Sequence, residues 1–158
     1  MTPEPTGRLL DRDLTLTRTF KAPIEDVWAS ITESERTARW FASWTGDAGP
    51  GKTIRIKLVL EDGEPENDMT IVACEPPRHL AVSAEDEFGS WHLEARLAED
   101  DGVTVLTFVH HLDDKADVGS VGPGWEYYLD CLVTSRADGP RPDFDDYYPA
   151  QKAYYESL

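Results

Sequence analysis

The sequence predicts an α+β domain of the helix-grip type: a curved, six-stranded antiparallel sheet, two short helices and one long C-terminal helix held against the sheet. Three observations predict it. Apolar and polar residues alternate with period 2 in six segments, the signature of half-buried strands. Successive segments, paired as hairpins, keep apolar residues opposite apolar residues. One long apolar stripe at helical spacing follows, bounded by Pro123 and Gly139.

In chain order, residues 1–12 contain Pro3, Pro5 and Gly7 and read as a flexible leader. Leu14, Leu16, Arg18 and Phe20 alternate with Thr15, Thr17 and Thr19, which gives the first strand. Pro23 suits a first helical position, and Glu25 and Asp26 complement the helix dipole. Ile24, Val27, Trp28 and Ile31 then make one face of a short helix. Thr32 and Glu35 have the spacing of a capping box for a second short helix ending near Trp40 and Phe41.

After the break at Ala48-Gly49-Pro50-Gly51, four hairpins are expected. Ile54, Ile56, Leu58 and Leu60 form one strand, and Asp62-Gly63 turns into Met69, Ile71 and Ala73. Pro76-Pro77 turns into Leu80 and Val82. Glu85 to Glu87 turn into Trp91, Leu93, Ala95 and Leu97, and Asp100-Asp101-Gly102 turns into Val103 to His111. The predicted register places Leu58 opposite Met69, Ile56 opposite Ile71, Ile71 opposite Val82 and Val82 opposite Trp91. It continues with Trp91 opposite His110, Leu93 opposite Phe108 and Ala95 opposite Leu106. Arg55, Lys57, Glu94 and Arg96 fall on the other face. A one-residue slip would destroy this agreement.

Pro123 is expected to open the last helix, with Trp125, Tyr128, Leu129, Leu132 and Val133 as its stripe and Gly139-Pro140 as its close. The domain is thus drawn over residues 13–139. Residues 140–158 carry Phe144, Tyr147, Tyr148, Tyr154 and Tyr155, and are expected to pack on it as an aromatic tail.

The chain has 158 residues, enough for one domain burying roughly 70% of its unfolded surface. Acidic residues outnumber basic ones by 31 to 15, for a formal charge of −16. A field of that sign repels phosphate backbones and anionic lipid heads, so neither nucleic acid nor a membrane surface is an expected partner. No apolar run approaches the roughly 20 residues of a membrane span, and no signal peptide is visible. Cys74 and Cys131 form no CxxC pair, which suits free thiols and a cytoplasmic location. A homodimer is left open.

The blocks Arg18-Thr19-Phe20-Lys21-Ala22-Pro23, Val27-Trp28, Arg39-Trp40-Phe41, Thr104 to His110 and Gly124-Trp125, in this order, resemble the SRPBCC (START-like, Bet v 1-like) superfamily. Within it, the sequence is similar to the bacterial branch related to the C-terminal domain of the activator of heat-shock-protein-90 ATPase, over about residues 13–137. The resemblance implies a cavity between sheet and long helix. Superfamily members bind lipids, sterols, polyketides or hormones there, and some catalyse cyclisation or dehydration. The eukaryotic activators carry an additional N-terminal domain for which this chain has no expected room, so a chaperone partner is not expected.

The face that the predicted sheet and helix share supplies the expected ligand-binding residues: Trp40, Trp44, Leu58, Met69, Ile71, Val82, Trp91, Leu93, Phe108, His110, Trp125, Tyr128, Leu129 and Leu132. An aromatic surface with few polar groups suits a small hydrophobic or planar ligand. The same side chains at normal density would simply fill a core. His110 is a candidate general acid-base or ligand-orienting group, or else a hydrogen-bonded core histidine. Arg18 is a candidate anchor for a ligand anion, or else the partner of Glu126 or Asp130. Tyr128 either reaches into the cavity or packs. His111 points away from His110, and no HExxH or Cys/His cluster occurs, so neither metal nor cofactor is expected. GxSxG, P-loop and GxGxxG motifs are lacking as well. Cys74 is assigned to the outward phase of its strand and Cys131 to a position off the helical stripe. Binding of a hydrophobic molecule is therefore the expected function. A cyclase or dehydratase of secondary metabolism is the alternative, and a chaperone-associated interaction protein a third.

Overall fold

The computed structural model describes residues 3–87 and 89–158. Its elements run β1 (Arg8–Leu10), β2 (Asp13–Phe20), α1 (Ile24–Thr32), α2 (Ser34–Thr37), β3 (Ser43–Thr45), β4 (Thr53–Lys57), β5 (Glu66–Glu75), β6 (His79–Asp86), β7 (Gly89–Asp100), β8 (Val103–His111), α3 (Val118–Arg136), a short 3-10 turn (Phe144–Asp146) and α4 (Lys152–Glu156). The strands form one antiparallel sheet in the order β1-β2-β8-β7-β6-β5-β4-β3.

This order overturns the expected curved, six-stranded sheet: the sheet has eight strands and is uncurled, open at β1 and β3. The two extra strands are each three residues long. Such segments are too short to show a period-2 signal, and β1 lies within the proline- and glycine-containing segment read as a leader.

The hairpin registers are corrected by even steps. Met69 faces Ile54 and not Leu58, and Ile56 faces Asn67. Val82 faces Leu93, Leu93 faces His110, and Ala95 faces Phe108. Only the pairing of Ile71 with Val82 is as expected. An even shift moves side chains along a strand but never across the sheet. Ile54, Ile56, Met69, Ile71, Leu93, Leu97, Leu106 and Phe108 are therefore all buried on the inner face, while Arg55 and Lys57 are exposed on the outer one. The β7–β8 turn is a tight one, with Asp101 (φ 51°) and Gly102 (φ 78°) both in the left-handed region that matches strand twist.

Helix α3 starts five residues before the expected Pro123. Asp117 caps it, accepting from the Gly119 N–H at 3.2 Å and from the Ser120 hydroxyl at 2.9 Å. Gly119, Gly122 and Pro123 hide this first turn in the sequence because each is a poor helix former. Gly122 is required for another reason: a Cβ there would lie 2.3 Å from the Tyr155 ring. The helix ends at Arg136, and Asp138, at φ 52°, takes the left-handed position expected of Gly139. The capping box at Thr32 is not formed. Glu33 occupies the cap position, and the Thr32 hydroxyl donates to the Trp28 carbonyl at 2.8 Å.

Residues 6–7 and the aromatic tail both meet α3. Glu126, 1% exposed, accepts from the Thr6 and Gly7 N–H groups, Arg18 and the Tyr155 hydroxyl. Tyr147 donates to Asp130 at 2.7 Å, and Tyr154 to the Gly7 carbonyl at 2.7 Å.

One helix cannot cover this sheet. Eight strands at about 4.8 Å spacing span roughly 34 Å, whereas a helix is about 10 Å in diameter. Helix α3 lies over the β2 side. The apolar interior accordingly divides into a main cluster around α3, β2, β7 and β8 and a second around Ala42, Ile54, Ile56, Met69 and Ile71.

Candidate ligand-binding site

A cavity of about 270 Å³ lies at the seam of the two clusters. Its walls come from α1 (Ile31), the α2–β3 segment (Trp40, Phe41, Ala42), strands β4 to β8 and the middle of α3 (Trp125, Leu129). Two tryptophans are pinned by their indole N–H groups: Trp40 donates to the Ser30 carbonyl and Trp44 to the Thr32 carbonyl, each at 2.9 Å. With their polar atoms satisfied, the rings can present apolar faces to the cavity. Phe108 and Trp125 rings stand 4.5 Å apart, and Phe41 lies 6.0 Å from Trp125.

Of the sequence-predicted residues, Trp40, Trp44, Met69, Ile71, Val82, Leu93, Phe108, Trp125 and Leu129 border the cavity. Five others are elsewhere. Leu58 lies beyond the end of β4 and packs on the second cluster. Leu132 is fully buried in the main core. Tyr128 packs its ring 5.3 Å from Phe41 and donates its hydroxyl to Glu61, and burial with this bond raises its pKa. Trp91 and His110 stack on each other, 5.1 Å between centroids, next to the cavity wall.

Neither candidate catalytic residue borders the cavity. His110 is 1% exposed and its Nδ1 accepts from Trp125 Nε1 at 3.0 Å. Burial lowers its pKa to about 4, so the ring is neutral. Arg18 pairs with Glu126 at 2.8 Å and with Asp130 at 2.9 Å. Burial acts to lower the Arg18 pKa, but the bond to Glu126 and the two carboxylate charges raise it overall. Its guanidinium is already matched within the fold.

Several lining residues were not expected from the sequence, and Cys74 is the instructive one. A bulge between Ile71 and Ala73 shifts the β5 phase, leaving Val72 59% exposed and turning Cys74 to the cavity. Its outward assignment is corrected, and burial raises its thiol pKa. Cys131, placed off the stripe, is instead buried, which pushes its thiol up to about 11. Both cysteines are free. Among the described residues no group of three or more His, Cys, Asp or Glu side chains could hold a metal ion, and no helix is long and apolar enough to cross a membrane.

The sequence matches the model of the family described as Activator of Hsp90 ATPase homolog 1-like protein over residues 21–135. The chain belongs to that family. No curated protein matches it. Among solved structures, this family member is similar to CalU16 from Micromonospora echinospora, at 27% identity and TM-score 0.78, covering 98% of this chain and 95% of that one. The protein encoded by gene BPP1335 of Bordetella parapertussis superposes with TM-score 0.79 at 24% identity, covering 99% and 94% of the two chains. DynU16, described as a protein of the dynemicin biosynthetic locus, has the same fold at 19% identity and TM-score 0.70, over 89% of this chain and 51% of its own. The family match, with the likeness to CalU16, places the chain in the SRPBCC superfamily.

Proposed function

We propose that this protein binds a small, apolar, ring-bearing molecule in the cavity between the sheet and α3. The observation that carries this reading is the cavity itself, at the seam of two apolar clusters and walled by Trp40, Trp44, Phe108 and Trp125. Its volume of about 270 Å³ lies just below the 300–1,000 Å³ usual for drug-sized ligands, so the occupant is small. Desolvation of ring faces against fixed aromatic walls supplies the affinity. Family membership and the fold shared with CalU16 are consistent with this use.

Binding is favoured over cyclase or dehydratase chemistry by the placement of the ionisable groups. Arg18 is held in ion pairs, and His110 stands outside the cavity lining. Native mass spectrometry of the protein from its own host, with organic extraction, tests the reading. A stoichiometric apolar compound is expected. Persistent absence of any adduct, together with no uptake of added aromatic compounds, would sink the proposal.

A further inference from the structure

Among the described residues, three buried side-chain polar atoms have no hydrogen-bond partner: Trp91 Nε1, His110 Nε2 and Gln151 Oε1. Two of these belong to rings stacked on each other, 5.1 Å between centroids and 22° from parallel. Both are donors. An indole N–H can only donate. His110 Nδ1 accepts from Trp125 Nε1, which also can only donate, so the single proton of the neutral ring sits on Nε2. A buried donor without an acceptor loses its bonds to water and gains none in return. Two in one stack mark a place where an acceptor belongs.

The stack adjoins the proposed site. Leu93 is the cross-strand neighbour of His110, Phe108 lies two residues away on the same face of β8, and the Trp125 ring is 6.0 Å from His110. Leu93, Phe108 and Trp125 all border the cavity. The stack therefore stands behind this wall, and a cavity ligand reaches it only by turning one wall side chain aside. Among the described residues no lysine or arginine lines the cavity to balance a buried anion, so the acceptor is neutral.

We infer that Trp91 Nε1–H and His110 Nε2–H receive a neutral carbonyl oxygen at the Leu93–Phe108–Trp125 wall, so that the cavity's ligands are apolar ring-bearing ketones, aldehydes or quinones. This rests on the cavity reading and narrows it. The test compares 2-acetylnaphthalene with 2-ethylnaphthalene, one skeleton with and without the oxygen, by calorimetric titration of the full chain. The ketone binds about thirtyfold more tightly, the worth of two net hydrogen bonds. That preference falls to about fivefold in Trp91→Phe and in His110→Phe, each of which removes one of the two donors. Because His110→Phe disturbs a buried position, the wild-type Trp91 indole N–H resonance is followed as well, and it moves downfield with the ketone and not with the hydrocarbon. Equal binding of both compounds, a preference unchanged in the variants, or an indole resonance indifferent to the oxygen overturns the carbonyl assignment and leaves the cavity standing. Binding of neither compound overturns the cavity reading and the carbonyl assignment with it.

Discussion

His110 and His111 stand side by side on β8, yet the first is 1% exposed while the side chain of the second is 40% exposed. The sheet puts them on opposite faces and gives them opposite chemistry. Burial lowers the His110 pKa to about 4 and keeps it neutral. On the outer face, His111 lies between Glu94 at 2.5 Å and Asp13 at 2.6 Å, and the bond to Glu94 raises its pKa. The same Glu94 reaches His79 at 2.8 Å, and His79 reaches Glu75 at 3.0 Å, so one polar chain crosses β2, β8, β7, β6 and β5. The inner face has its own carboxylate-centred network at Glu126. Burial acts to raise the Glu126 pKa, but its bonds from Tyr155, Arg18 and Thr6 lower it overall. Two similar-looking networks thus differ in their surroundings, and surroundings set their energetic weight: a buried pair broken on one side leaves an uncompensated charge, whereas an exposed pair is screened by water and salt.

The largest expected effect is on the inner network. Glu126→Gln leaves Arg18 with Asp130 alone and turns an amide group toward donors, and it destabilises the fold by about 3–5 kcal/mol in chemical denaturation. A loss under 1 kcal/mol would show that the inner network carries no more weight than a surface one.

Next comes the acid limb of His110. Its folded pKa lies below the ordinary 6.5, so the unfolded chain takes up this proton first as pH falls. Stability is therefore full above pH 6.5 and declines between 6.5 and about 4, with a total of about 3 kcal/mol. Stability measured against pH in His110→Asn removes this component and leaves the carboxylate contributions. An unchanged slope would mean that His110 titrates as freely in the fold as outside it.

The smallest effect is on the outer face and has the opposite sign. His111 has a raised folded pKa, so its contribution is present below its unfolded value and fades as pH rises through the folded one. His111→Asn costs about 0–1 kcal/mol at pH 6, and less at high salt. A larger, salt-independent loss would place this network on a par with Glu126 and erase the distinction between the faces.

Much of this contrast is written in the alternation of β8, where Leu106, Phe108 and His110 share one phase and His111 takes the other. Face assignment survives register errors because the errors are even: Met69 is inward whether it faces Leu58 or Ile54. What alternation does not carry is anything that changes phase or acts at a distance. The bulge at Val72 has no compositional signal, so Cys74 reads as outward. The first turn of α3 reads as loop because the glycines that admit Tyr155 and the rest of the tail are also helix breakers. The sheet edges β1 and β3 are too short to show a period. Within the site, Trp40, Trp44, Trp125 and the strand residues Met69, Ile71, Val82, Leu93 and Phe108 read as cavity-facing and border the cavity, whereas Trp91 and Leu58 read the same way and do not. The partition between lining and packing was not legible, since Leu132 and Leu129 share one helical stripe and only the latter reaches the cavity.

The central claim is that the seam between the two clusters is open space that takes an apolar ring system. It is tested most directly by titrating N-phenyl-1-naphthylamine, followed by its fluorescence, into the wild type and into Ile56→Phe, whose larger side chain projects into the cavity. The account predicts saturable one-to-one binding to the wild type, binding at least about tenfold weaker to the variant, and a variant as stable as the parent because the added ring fills space. A wild type that shows no saturable binding, or a variant destabilised by about 1–3 kcal/mol as overpacked cores are, would contradict it.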